Sequence, residues 1–163
     1  KEIPTEILHD HFDAFWDKYQ GVRKWQEDLI AFYWKHGYVE TLTGFRRREP
    51  MTRNELINQP IQGTAAHVVI DAQIRLSRYA HDTNQPRFQP RLNIHDDLTF
   101  YLPKGPKLDS DIELIGKFMC VPSYDFISVP LSVEVSAGPN LADKEEIVTF
   151  TSADFGWVPA QRI

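Results

Sequence analysis

The 163-residue sequence has one cysteine, Cys120, so no disulfide can form within the chain and a small disulfide-stapled framework is excluded. No cluster of cysteine and histidine has the spacing of a structural zinc site. A reducing, intracellular setting is therefore expected. No apolar run approaches the ~20 residues that a membrane-spanning helix needs, and no charged-then-apolar signal segment opens the chain. A soluble protein without a membrane partner is the expectation. Internal repeats and low-complexity segments are missing too. Lysine is missing from Arg46 to Arg91, where Arg46, Arg47, Arg48, Arg53, Arg75, Arg78, Arg87 and Arg91 stand against the acids Glu49, Glu55, Asp71 and Asp82. The chain as a whole carries a net charge of -5, so this stretch holds +4 and the remainder -9. The average argues against non-specific nucleic-acid binding, whereas the uneven distribution is that of a localised polyanion site or of a solvated surface. Methionine is also missing from the first position, which is Lys1. A processed, cut or excerpted polypeptide is expected.

What is present suffices for a core: 42% of the residues are hydrophobic, and the length is that of one domain or of a piece of a larger one. Pro4 and Thr5 are helix-start residues, and Leu8, Phe12, Phe15, Trp16 and Tyr19 follow at helical spacing up to Gly21. Val22, Trp25, Leu29, Phe32 and Tyr33 make a second stripe, with Gly37 as its cap. The two read as a helical hairpin whose aromatic stripes are core. His9-Asp10-His11 reads as surface, because i and i+2 point to different sides of a helix. Tyr38 to Leu42 is a short strand, and Gly44 turns the chain into Arg46, Arg47 and Arg48. A third helix is expected from about Thr52 to Tyr79, with Leu56, Val68, Val69, Ile70, Ile74 and Leu76 as apolar positions and Pro60 as a bend or a late start. Its small residues Gly63, Thr64, Ala65 and Ala66 invite close approach of another backbone. His81 to Pro90 reads as a polar loop, Leu108 to Met119 as a helix, and Val129 to Val135 as a strand ending at Gly138-Pro139. The last two dozen residues have no clear period. Helices and short strands without βαβ alternation indicate an α+β fold with a mainly antiparallel sheet and long flanking helices.

The stretch NIHDDLTFYLP, Asn93 to Pro103, poses a problem of parity. In one unbroken strand Leu92, Ile94, Asp96, Leu98, Phe100 and Leu102 would share a face, and Asp96 would be buried among apolar neighbours. An unpaired carboxylate there would cost several kcal/mol. A tight turn at His95-Asp96, a neutralising cation, or both would relieve it. Adjacent acids at a hairpin tip suit Mg²⁺, which takes one or two carboxylates and fills its other positions with water and phosphate oxygen. They also suit an ordinary turn.

Three segments in order, HGYVETLTGFRRR (His36 to Arg48), NQPIQGTAAH (Asn58 to His67) and NIHDDLTF (Asn93 to Phe100), resemble the C-terminal polymerase region of family A DNA polymerases, the bacterial DNA polymerase I type, including many phage replicative enzymes. VPLSVEVSAGPN, Val129 to Asn140, resembles the strand that ends those proteins. The resemblance implies a family A polymerase portion over 1–140, with a helical hairpin over 1–37, a duplex-facing helix and palm hairpin over 38–140, and a C-terminal extension over 141–163. It further implies that Asp96 is a ligand of two catalytic Mg²⁺ ions, that His95 lies near the primer terminus, and that Asn58 and Gln62 reach the duplex minor groove. Amide contacts there test pair shape without reading sequence. Asp97 stands where the family usually has glutamate, one methylene longer. The resemblance assigns phosphate contact to Arg46, Arg47 and Arg48. The implied reaction is transfer of a deoxynucleotide to a primer 3′-hydroxyl in replication or repair, in a bacterial or virus-encoded cytoplasmic enzyme. Its partners would be primer-template DNA, dNTP, and an upstream polymerase segment or companion subunit that supplies the second aspartate and the nucleotide-gripping helix. This chain alone would then be inactive. The alternatives are a non-catalytic DNA-binding remnant and part of a single-subunit RNA polymerase, against which the QGTAA segment argues.

Overall fold

A computed structural model describes residues 5–159, without the side chains of 5–8 and 10; Pro4 and Lys1 lie outside the described residues. The elements follow the local signals closely. Helix α1 is Thr5–Lys18 and α2 is Gln20–His36, closed by Gly37 in the left-handed conformation with φ of 75°, which glycine adopts without steric cost. Strands β1, Val39–Glu40, and β2, Arg46–Arg47, pair antiparallel. Helix α3 is Arg53–Asp82 and contains Pro60. The helix does not start late at Pro60, because Thr52 and Glu55 form a reciprocal cap ahead of it: the Thr52 N–H donates to Glu55 at 2.8 Å and the Glu55 N–H to the Thr52 hydroxyl at 3.4 Å. A 3₁₀ turn, Pro86–Phe88, leads into β3, Leu92–Ile94, and β4, Asp97–Thr99. Helix α4 is Leu108–Cys120, and β5, Ser132–Ala137, pairs with β6, Glu145–Thr151. The architecture is α+β, with three separate two-stranded antiparallel pairs among the described residues. No helix among the described residues is long and apolar enough to cross a membrane.

The chain divides into two compact units, Lys1–Thr64 and Ala65–Ile163, with the division inside α3. In the first unit the aromatic stripes of α1 and α2 are not core. Phe12 is 61% exposed and Phe15 49%; Tyr19, Val22, Trp25 and Phe32 are exposed as well, and α2 has no buried residue. Amphipathic spacing makes a helix face apolar, but burial requires a full opposing layer; Trp16, Leu29 and Tyr33 are only half-buried. His9 and His11 are exposed, as expected of a surface position. The buried positions of this unit are Val39, Thr41, Leu56 and Thr64. They join the β1–β2 turn to α3. The Thr64 hydroxyl donates to the Pro60 carbonyl and accepts the Leu42 N–H at 3.0 Å. At Gly63 the close neighbours are side chains and not another backbone: a Cβ there would lie 2.8 Å from the Thr41 methyl and from the Gln59 amide nitrogen.

The second unit has its core at Leu76, Ala80, Phe88 and Ile115, with Leu98, Phe100 and Leu102 packed against it. Phe88 is 1% exposed, so the segment from His81 to Pro90 is not simply a polar loop. Asn84, at φ of 52°, lies at the chain's exit from α3, before the 3₁₀ turn that carries Phe88. Arg87 then grips Asp111 on α4 with two hydrogen bonds, at 2.7 and 3.0 Å. Ile70 and Ile74 are exposed rather than core, because they lie on the face of α3 opposite Ala72, Leu76 and Ala80.

Within the stretch that is aperiodic in sequence, Glu145–Thr151 form a strand. β6 runs beside β5 with a register irregularity at Val135/Ser136, and its Phe150 ring covers Gly116 of α4 so closely that no side chain fits there. Ser152, fully buried, accepts the Leu131 N–H at 2.8 Å and donates to the Cys120 carbonyl at 2.7 Å. Thr151 and Asp154 form a capping box beside it, and the Thr151 N–H and hydroxyl hold the Asp154 pKa below the usual carboxylate value. Cys120 is buried, and burial pushes its thiol pKa up. Ser152→Ala should cost about 1–3 kcal/mol, because the Leu131 N–H loses its acceptor in a site closed to water. Urea denaturation measures this, and a loss under ~0.3 kcal/mol would contradict it.

Candidate functional site

The second unit carries the carboxylates. The register Ile94↔Asp97 leaves His95 and Asp96 as a two-residue turn, with His95 at φ of 57°. Positive φ at the first central residue matches the right-handed twist of the strands, although glycine is the usual occupant. A histidine held there is an uncommon backbone choice of the sort that accompanies functional sites. The turn resolves the parity problem. Leu98, with Phe100 and Leu102, packs on the core while Leu92 and Ile94 stay exposed, and Asp96 leaves the strand altogether. His95, Asp96 and Asp97 are all exposed at the tip. Among the described residues the two aspartate side chains make no hydrogen bond or ion pair, and no group of three or more potential ligands could hold a metal. At the base of the hairpin, the Asn93 amide donates to the Gln73 side chain on α3 at 3.0 Å.

The first unit carries the arginines and amides. Asn58 and Gln62 are both exposed, one helical turn apart on α3. The β1–β2 register, Val39↔Arg47 and Glu40↔Arg46, sorts the three arginines by parity. Arg47 shares the face of buried Val39, and its guanidinium is shared among Glu49, Glu55 at 3.3 Å and Gln59 at 3.3 Å. Arg46 pairs across the strands with Glu40, whose hydrogen bond raises the guanidinium pKa. For Glu55 the hydrogen bonds from Thr52 come first, and Arg47 second, in lowering its pKa. Arg48 is exposed with no acidic partner among the described residues; its guanidinium lies over the Tyr38 ring, 5.2 Å from the centroid. The triplet is therefore one anchored, one paired and one uncommitted cation. Composition alone did not separate them, whereas strand parity could have done so. The structure brings His95, Asp96 and Asp97 together in one unit, and Arg46, Arg47, Arg48, Asn58 and Gln62 in the other.

The chain is 34% identical over 152 residues to DNA polymerase I of Deinococcus radiodurans, covering 86% of this chain and 15% of that protein. It is 30% identical over 148 residues to DNA polymerase I of Chloroflexus aurantiacus, covering 85% of this chain and 15% of that protein. It thus spans about one seventh of the length of such relatives. Among solved structures it resembles the POL domain of Pol1 from M. smegmatis, in complex with DNA primer-template and dNTP. That likeness has a TM-score of 0.57 at 26% identity over 72% of this chain and 22% of that one. The family model described as DNA polymerase family A matches residues 2–143, and the chain belongs to that family.

Proposed function

We propose that this chain is the C-terminal portion of a template-directed DNA polymerase that adds deoxynucleotides to a primer 3′ end. The observation that carries the reading is the exposed His95-Asp96-Asp97 hairpin tip in a chain of DNA polymerase family A. Primer-template DNA and dNTP are the proposed partners; the similar M. smegmatis domain was solved with both.

Asp96 and Asp97 fit a divalent cation in kind, being hard oxygen donors, exposed and committed to no other cation among the described residues. In number they fall short of a full site, so water, substrate phosphate and an upstream aspartate would have to complete the set. Two Mg²⁺ ions bound there would lower the pKa of the attacking hydroxyl and stabilise the leaving pyrophosphate. The residues of this chain hold and orient. Asp96 presents its carboxylate from a turn whose strand is anchored in the core by Leu98. His95 stands beside it, near the primer terminus. Asn58 and Gln62 donate to minor-groove acceptors, which are nearly alike for all correct pairs and misplaced in wrong ones. Arg48 and Arg46 contact backbone phosphate, while Arg47 secures the turn to α3.

The nucleotide-gripping helix and second aspartate belong to an upstream segment or companion subunit. Primer extension with Mg²⁺ is expected when this chain is combined with that segment, and from neither piece alone. A verified, stably assembled pair that extends no primer would overturn the reading.

A further inference from the structure

The register of β1 and β2, continued by one pair, sets Tyr38 opposite Arg48, just as Glu40 stands opposite Arg46. The four side chains share one face of the hairpin, away from buried Val39. Both guanidinium groups lie over the same ring: Arg46 at 4.7 Å and Arg48 at 5.2 Å from the Tyr38 centroid. The ring is braced in turn by Phe32, edge-on at 5.2 Å, and Phe32 packs on His36 at 4.3 Å. An arginine on an open surface samples many rotamers, and holding it still for a phosphate costs conformational entropy. A guanidinium already held against an aromatic face has lost part of that freedom before the anion arrives. Arg48 has no acid to hold it among the described residues, so for Arg48 the ring is the restraint.

Resting on the phosphate-contact reading given above, we infer that Tyr38 is a positioning residue which pre-orders Arg46 and Arg48 for contact with the nucleic-acid backbone. It touches no phosphate itself. The partner is the phosphodiester backbone of the primer-template duplex, and the contact carries no sequence information.

The test is binding of the full chain to a primer-template duplex at several salt concentrations. Tyr38→Phe keeps the ring face and should bind within about twofold of the parent. Tyr38→Leu keeps apolar bulk without a ring and should bind roughly three- to tenfold more weakly, the range expected for ordering one or two long side chains. Arg46→Ala with Arg48→Ala should weaken binding further and flatten the salt dependence by about one unit for each phosphate that is no longer neutralised. In that double background Tyr38→Leu should add nothing, since the ring has no cation left to position. Equal loss from Tyr38→Leu in both backgrounds, or no loss in the parent, overturns the positioning role and leaves the phosphate reading standing. Unchanged affinity and salt dependence without Arg46 and Arg48 overturns the phosphate reading and the inference with it. Should Tyr38→Leu fail to fold, Arg48→Lys decides. An ammonium keeps the charge but has no planar face to lie on the ring, so a clear loss supports the inference and parental affinity overturns it.

Discussion

Asp96→Asn in a polymerase carrying this chain is expected to lower primer extension by at least about a thousandfold, equivalent to roughly 4 kcal/mol of transition-state stabilisation. Duplex affinity should stay within about twofold. The two outcomes separate because of where Asp96 sits. It is exposed at the hairpin tip, its side chain bonds to nothing among the described residues, and the turn it occupies is held by the β3–β4 ladder and not by its carboxylate. Asparagine preserves size and turn chemistry, so the fold has no reason to respond. What disappears is one negative charge at the place proposed to hold cations, and a neutral amide is a much poorer ligand for a hard divalent ion. Single-turnover extension at saturating dNTP, alongside duplex binding by anisotropy, measures both quantities. Extension at near-normal rate would sink the metal-ligand assignment, and a parallel collapse of duplex binding would point to a folding defect.

Phe88→Ala is the substitution expected to cost most in stability, about 3–5 kcal/mol. Phe88 is 1% exposed within the cluster of Leu76, Ala80 and Ile115, and its ring meets Tyr79 edge-on with centroids 5.4 Å apart. The Arg87 guanidinium lies over its outer face at 4.5 Å while gripping Asp111. Truncation leaves a cavity that these neighbours cannot close, because Arg87 is held by its carboxylate and Tyr79 by α3. A total stability of about 5–15 kcal/mol is usual for a domain, so the loss is a large share of it. The same cluster supports Leu98, Phe100 and Leu102, so extension should fall along with the folded fraction. Denaturant titration reads the change as a shift in midpoint. A cost below about 1 kcal/mol would mean that Phe88 is not the keystone of this core.

The elements were largely legible in the sequence because their signals are local. Gly37 ends α2 because a left-handed residue is needed there, and Thr52 with Glu55 opens α3 because each satisfies the other's backbone N–H. Asp96 was legible as a difficulty, since parity alone required that the strand break or the charge be compensated, and the break at His95-Asp96 is what the hairpin has. The ordered segments ETLTG, QGTAA and NIHDD carried the family resemblance, which the match over residues 2–143 bears out.

Burial was not legible in the same way. The aromatic stripes of α1 and α2 have the spacing of a core and yet are exposed, while Phe88, in a stretch rich in polar residues and proline, is core. β6 has no period to announce it, because it is fixed by pairing with β5, across an intervening loop, and by the lodging of Phe150 over Gly116, more than thirty positions away. The arginine triplet is alike in composition and is divided only by which strand face each residue occupies and which acids lie across from it. The sequence by itself thus determined most of the elements and their order, the family, and the need at Asp96 for a turn, a compensating cation, or both. The tertiary structure alone decided which apolar faces find a partner, which arginine remains uncommitted, and that Glu145–Thr151 is a strand. Helix periodicity, caps and turns depend on neighbours within a few residues, whereas burial and ion pairing depend on groups that folding brings in from elsewhere in the chain.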